Sequence, residues 1–303
     1  MASNMMVARA DLWRVHITAK ASPFSASLVR ALALLTFSFA LLICGADRAH
    51  AFRLSEGVRI GDGLKVDVYS PDGRSEGRRR GSAPVVVYVH GGGWIKGSRK
   101  KVYSQPQWLT RKGYVFVSVE YRPVPKTDID GQVRDVTRAI RWVRRNIRKH
   151  GGNGRKIVIM GHSAGAHLVS LIAARNAAGP LAGVIANDVQ AYDMVAYGVV
   201  RGGLGHPYDK AFGTNVDNWV KWSPATYARR NRRMPPHLIM HSGSQAARRR
   251  QLARGYVNLL RSRGTRAETF DGRQYSHGSI ARSLGSRNSA TVAVERFLER
   301  VVR

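Results

Sequence analysis

The chain has 303 residues, 44% of them hydrophobic, and carries 50 Lys and Arg against 19 Asp and Glu, a formal net charge of +31. That is enough apolar material for one large core, and chains of this size are commonly single domains. The only cysteine, Cys44, rules out a disulfide framework and a thiolate metal site. No zinc-finger, helix-turn-helix or aromatic-rich RNA motif accompanies the charge, so no specific nucleic-acid binding is expected.

Residues 1–51 read as a signal peptide. Arg9, Arg14, Lys20 and Arg30 precede an apolar run from Ala31 to Cys44, shorter than the ~20 residues that a membrane span needs. The run leads to Ala49-His50-Ala51, a small-x-small site of the kind signal peptidase cuts. Cleavage after Ala51 is expected, with export to the periplasm or the medium. No twin arginine precedes the run, which favours general secretion. An uncleaved N-terminal anchor is the alternative. Cleavage removes five basic and two acidic residues and leaves 45 against 17, a charge of +28, with no membrane span. The basic residues cluster at 78–80, 99–101, 229–230, 232–233 and 248–250. Two readings of them stay open: a solvated surface suited to an acidic environment, and non-specific attraction to a polyanion.

Residues 52–303 read as one α/β domain. Val58-Arg59-Ile60 and the alternating stretch from Leu64 to Tyr69 flank Gly61-Asp62-Gly63, which predicts an antiparallel hairpin. A polar loop follows from Ser70 to Ser82. Val85 to Val89 is continuously apolar, as a central strand is. It runs into His90-Gly91-Gly92-Gly93-Trp94, where three glycines leave backbone N–H groups bare. Tyr114 to Val119 is a second strand, and Pro123 and Pro125 force an extended loop after it. Val133, Val136, Ile140, Val143 and Ile147 then recur at helical spacing, with an arginine face opposite and Gly151-Gly152 at the end.

The centre of the chain is Lys156 to Gly165. Four apolar residues lead into Gly161-His162-Ser163-Ala164-Gly165, and an apolar helix follows from Ala166 to Ala174. Strand, sharp turn and helix are the context of a nucleophile elbow, in which a strained turn lifts the serine hydroxyl clear of the backbone. The helix that follows aims its N-terminal N–H groups at the same spot. Gly183 to Asn187 is a further strand. Residues 188–235 have weak periodicity but seven aromatic residues, and read as an insertion over the C-terminal edge of the sheet. Those aromatics either line a pocket or pack the insertion onto the body. His237 to His241 is a strand, Leu252, Tyr256, Leu259 and Arg263 share a helix face, Arg266 to Phe270 is the last strand, and Val294 to Val301 marks a closing helix.

The chain resembles the α/β-hydrolases of the esterase and lipase group that carry HGGGW and G-x-S-x-G, in the branch of the kynurenine-formamidase-like and feruloyl-esterase-like enzymes. Beside the two glycine motifs, the resemblance is carried by Val119-Glu120-Tyr121-Arg122-Pro123, by Asp135 with Ala139-Ile140-Arg141-Trp142-Val143, and by Ser223-Pro224. It runs from about Leu64 to Val302. It implies a mostly parallel sheet flanked by helices. It also implies an oxyanion hole from the N–H groups of Gly92, Gly93 and Ala164, Ser163 as nucleophile, and His277 as base in the loop after the last strand. No metal or organic cofactor is implied.

The acid is the departure. The pattern expects an Asp where this chain has Gln245, and no Asp or Glu occurs between Asp217 and Glu268. A glutamine can hold an imidazole by a hydrogen bond but cannot stabilise its charge. Three readings remain. Asp188, after the strand ending at Asn187, substitutes, with Asp193 and Asp271 as lesser candidates; or Ser163 and His277 form a weakened dyad; or the protein binds without turnover. The expected function is an exported serine hydrolase of a small carboxylic ester, with an arylformamide as the nearest alternative. The expectation from another class is a polyanion-binding envelope protein on an inactive hydrolase scaffold.

Overall fold

Eight strands form one sheet in the order β1-β2-β4-β3-β5-β6-β7-β8. They are β1 (Phe52–Gly61), β2 (Leu64–Pro71), β3 (Ala83–Val89), β4 (Val115–Val119), β5 (Gly152–His162), β6 (Gly183–Asn187), β7 (His237–Ser242) and β8 (Ala267–Gly272). The pairings β1–β2 and β2–β4 are antiparallel, and all others are parallel. This is a computed structural model, and it describes residues 52–72, 81–231 and 234–303. The expected signal peptide and the clusters at 78–80 and 232–233 lie outside the described residues.

The apolar runs form strands because both sheet faces are covered. Val85, Val87, Val89, Ile157 and Ile159 point into one core, and Val86, Tyr88, Val158 and Met160 into the other, as the two-residue period of a strand dictates. Helices α1 (Gln105–Arg111) and α10 (Ser289–Val302) supply Trp108, Leu109, Val294, Phe297 and Leu298 to the second core. Helices α2 (Ile129–Asn146), α3 (Ala164–Ala174) and α8 (Ala246–Ser262) cover the first.

Helix α2 follows the expected pattern. The Asp128 side chain caps it by accepting from Gly131 N at 2.7 Å. Val133, Val136, Ile140 and Val143 are buried, and a 3-10 turn carries buried Ile147 to Gly151, whose φ is 82°. Helix α1 is not foreseen from the sequence. Its seven residues are too few to display a helical period, and Pro106 near its start looks like a loop signal. The insertion is four short helices: α4 (Met194–Arg201), α5 (Tyr208–Phe212), α6 (Val216–Trp222) and α7 (Pro224–Ala228). The last short helix, α9 (Ser279–Arg282), follows β8.

Candidate active site

The site stands at the C-terminal ends of β3, β5, β6, β7 and β8. Between β5 and α3, Ser163 adopts φ 56° and ψ −121°, a conformation that costs a non-glycine residue about 1–3 kcal/mol. The neighbouring glycines make the turn possible. A Cβ on Gly165 would lie 2.0 Å from Val89 O, and one on Gly161 would lie 2.3 Å from the Gly165 backbone. Ser163 N donates to Asn187 O at 3.0 Å, which ties the turn to the end of β6.

His277 sits in the loop between β8 and α9. Its Nε2 lies 3.0 Å from Ser163 Oγ, and its Nδ1 lies 2.6 Å from Asp188 Oδ2. Asp188 follows β6 directly, has φ 62° and is fully buried. Its other oxygen accepts from Ser242 N at 2.9 Å and from Arg249 Nη1 at 3.0 Å. Burial by itself raises a carboxyl's pKa. The His277 hydrogen bond, the Arg249 charge and the Ser242 N–H outweigh it and bring Asp188 down to about 2. An ionised Asp188 only accepts, so the network puts a proton on His277 Nδ1 and leaves Nε2 as an acceptor toward Ser163.

The glycine loop closes the other side. Gly91, Gly92 and Gly93 line the same cleft as Ser163. Gly92 has φ 137°, and a Cβ there would meet Lys96 O at 1.8 Å. Its carbonyl accepts from Ile95 N and Lys96 N, which folds the loop back on itself. Ala164 is the first residue of α3, so its N–H is one of the first-turn donors that no helical carbonyl can satisfy. Trp94 anchors the loop. Its Nε1 donates to His167 Nδ1 at 3.2 Å, and His167 Nε2 donates to Trp222 O at 2.8 Å, so one buried imidazole joins the loop, α3 and the insertion.

Several expectations are corrected. Gln245 does not hold the imidazole. It stands at φ 52° ahead of α8, and its side-chain oxygen accepts from Arg248 and Gln190. Asp193 caps α4 and pairs with Arg229, and Asp271 pairs with Arg273, so neither reaches His277. The His162 side chain has a part that the sequence does not reveal. Half-buried, it donates from Nε2 to His277 O at 2.8 Å, and its ring centroid lies 4.8 Å from that of His277. Burial, then the nearby His277, pushes His162 down to about 4, so the ring is neutral. Of the insertion's aromatics, Tyr197 and Tyr208 line the cleft. Phe212 and Trp222 pack beneath it with Trp94 in the core. Arg249 has no sequence signal of its own, because a run of three arginines reads as solvated surface.

The fold recurs in solved structures. Esterase B from Lactobacillus rhamnosis superposes with a TM-score of 0.67, covering 92% of this chain and 97% of that one at 17% identity. A thermostable esterase from Pseudomonas putida gives 0.65 over 84% of each chain at 18% identity. The chain has the α/β-hydrolase fold. Residues 66–198 match the family described as BD-FAE. Esterase LipQ of Mycobacterium tuberculosis is 37% identical over 135 residues, 43% of this chain and 31% of LipQ. LipM of the same organism, a probable carboxylic ester hydrolase, is 28% identical over 242 residues, 73% of this chain and 55% of LipM. The chain thus spans less than two thirds of the length of either relative.

The motifs behind the family resemblance have physical partners here. Arg122 makes a bidentate pair with Asp135 at 2.8 and 2.6 Å, and Tyr121 Oη donates to His90 O at 3.1 Å. Those contacts brace the segment after β4 and the start of the glycine loop against α2.

Proposed function

We propose that this protein is a serine hydrolase that cleaves a carboxylic ester through an acyl-enzyme. The observation that carries this reading is the chain of contacts from Ser163 Oγ to His277 Nε2 at 3.0 Å and from His277 Nδ1 to Asp188 Oδ2 at 2.6 Å, beside the glycine loop. Ser163 Oγ attacks the ester carbonyl while His277 Nε2 takes its proton. The oxyanion is met by N–H groups of Gly92, Gly93 and Ala164, and one such donor is worth about 3 kcal/mol in the best-studied case. His277 then returns the proton to the departing alcohol. A water, deprotonated by the same imidazole, hydrolyses the acyl-enzyme and releases the acid. Asp188 holds the tautomer and offsets the imidazolium charge. Relatives described as esterases support the ester as substrate.

A fluorophosphonate probe tests the nucleophile. Labelling of the folded protein that disappears in Ser163→Ala is expected. Labelling that persists in Ser163→Ala, or none in the wild type, overturns the assignment. Short-chain aryl esters and an arylformamide, assayed side by side, separate ester from amide cleavage. On sequence grounds we also propose export after cleavage near Ala51, tested by N-terminal sequencing of the exported protein. A full-length N-terminus overturns it.

A further inference from the structure

The cleft above Ser163 encloses about 560 Å³, and its walls are unevenly charged. Lys96, Lys101, Arg201, Arg249 and Arg282 line it, whereas Asp188 is its only carboxylate among the described residues. Asp188 is buried and already engaged by His277, Arg249 and Ser242. The other four cations have no carboxylate within 4.0 Å among the described residues. Arg99, Arg122, Arg138, Arg175 and Arg229, away from the cleft, each have one.

We propose that the cleft selects an anionic ester: a carboxylic ester that carries a second, ionised group. This rests on the hydrolase reading of the same site and adds its substrate class. The four cations come from three separate elements: the loop after β3, the end of α4, and α9 just after His277. Their meeting at one cleft is therefore not the exposed face of a single helix. Two of the guanidiniums are seated on glycines. Arg201 lies where a Cβ on Gly205 would come within 2.3 Å of it, and its charge stands 6.0 Å from the centre of the Tyr197 ring. Arg282 lies 2.7 Å from the position a Cβ on Gly278 would take, one residue beyond His277. A partly enclosed cleft lined by one sign of charge focuses the field and raises the local concentration of an anion, while a neutral ester gains nothing from it.

Matched esters test the proposal. Ethyl hydrogen glutarate carries the anion on the acyl half, butyryl glycolate carries it on the alcohol half, and ethyl valerate is neutral. At low salt, kcat/KM for one of the anionic esters is expected to exceed that for the neutral ester by about tenfold, and the ratio is expected to shrink in about 0.5 M salt. Arg201→Gln with Arg282→Gln should lower the ratio. Arg134→Gln with Arg145→Gln removes the same charge from the exposed face of α2 and should leave the ratio as it was. A neutral ester turned over as fast as both anionic ones overturns the inference and leaves the hydrolase reading standing. If no ester is turned over, binding of the same three to Ser163→Ala, read by ligand-observed NMR, decides. Preference for an anion supports the cleft's selectivity while the catalytic reading falls; no preference overturns it.

Discussion

Arg249 Nη1 stands 3.0 Å from the oxygen of Asp188 that His277 does not use. The carboxylate is thus held from two sides, by a cation on α8 and by the imidazole. Arg249 is nearly buried itself, so the pair is shielded from water. Removing the cation leaves a buried carboxylate with two of its three partners and no permanent positive charge beside it. Arg249→Met is expected to destabilise the fold by roughly 3–5 kcal/mol, as loss of one member of a buried pair does. It should also lower kcat more than it raises KM, because Asp188 loses its fixed orientation. Thermal unfolding and steady-state kinetics on the same preparation check both halves, and a variant equal to wild type in both would refute the role.

Asp188→Asn should keep the fold and lower kcat by about 10⁴, since an amide neither holds the right imidazole tautomer nor offsets its charge. Adding Gln245→Asp should not restore the rate, because position 245 faces Gln190 and Arg248 and not His277. Stopped assays of the single and double variants decide this. Recovery in the double variant would mean that the acid can be carried on the loop after β7.

The hydrogen bond from His162 to His277 O predicts a positioning role for a side chain outside the triad. His162→Phe keeps an aromatic ring but removes the donor to a partly buried carbonyl, a loss of about 1 kcal/mol. A fall in kcat of several-fold with little change in KM is expected, within the range that such an energy allows. An unchanged kcat in a folded variant would reduce His162 to packing.

Gly165→Ala should not yield a folded protein. Its methyl would stand 2.0 Å from Val89 O, backbone of a central strand that has no room to retreat. Circular dichroism and soluble yield report the outcome, and a folded Gly165→Ala protein would contradict the close approach of β3 to α3.

Acid should weaken the fold before it protonates the site's carboxylate. Burial is the leading cause that pushes His162, His167 and His237 from 6.5 to about 4 in the folded state. Between those values the unfolded chain takes up protons that the folded chain refuses, so stability falls as pH drops from about 6.5 toward 4, by several kcal/mol in all. Asp188, down at about 2 against 3.8, adds stability that is present above pH 4 and lost only as pH falls toward 2. Denaturant titrations at pH 7, 6, 5 and 4 test the sign. Constant stability across that range would show that the three imidazoles ionise freely in the folded protein.

Ser163 and the glycine loop were legible in the chain as parts of a candidate site because each is a local event. Gly161 to Gly165 is a turn between a strand and a helix, and its residue types follow from contacts within a few residues or with the adjacent strand. His277 was legible through the family resemblance, which expects a histidine in the loop after the last strand. The acid was not legible in this way. Gln245 occupied the expected place, and Asp188, Asp193 and Asp271 were all open to the role. What decides among them is the pairing of β6 with β7, which sets Asn187 opposite Met240 and brings Asp188 N to Met240 O at 3.0 Å. That register carries the Asp188 carboxylate to Ser242 N and under His277. Arg249, His162 and the link from Trp94 through His167 to Trp222 were missed for the same reason. Their sequence neighbours are cations, glycines and apolar residues, and their partners lie 55 to 115 positions away. The sequence by itself determined which strands are buried and where the backbone must turn, because apolar period and glycine sterics are written residue by residue. Which carboxylate meets the imidazole, and which cations meet at the cleft, depended on strand register and on the folding back of the insertion. Those follow from long-range packing, which no local pattern encodes.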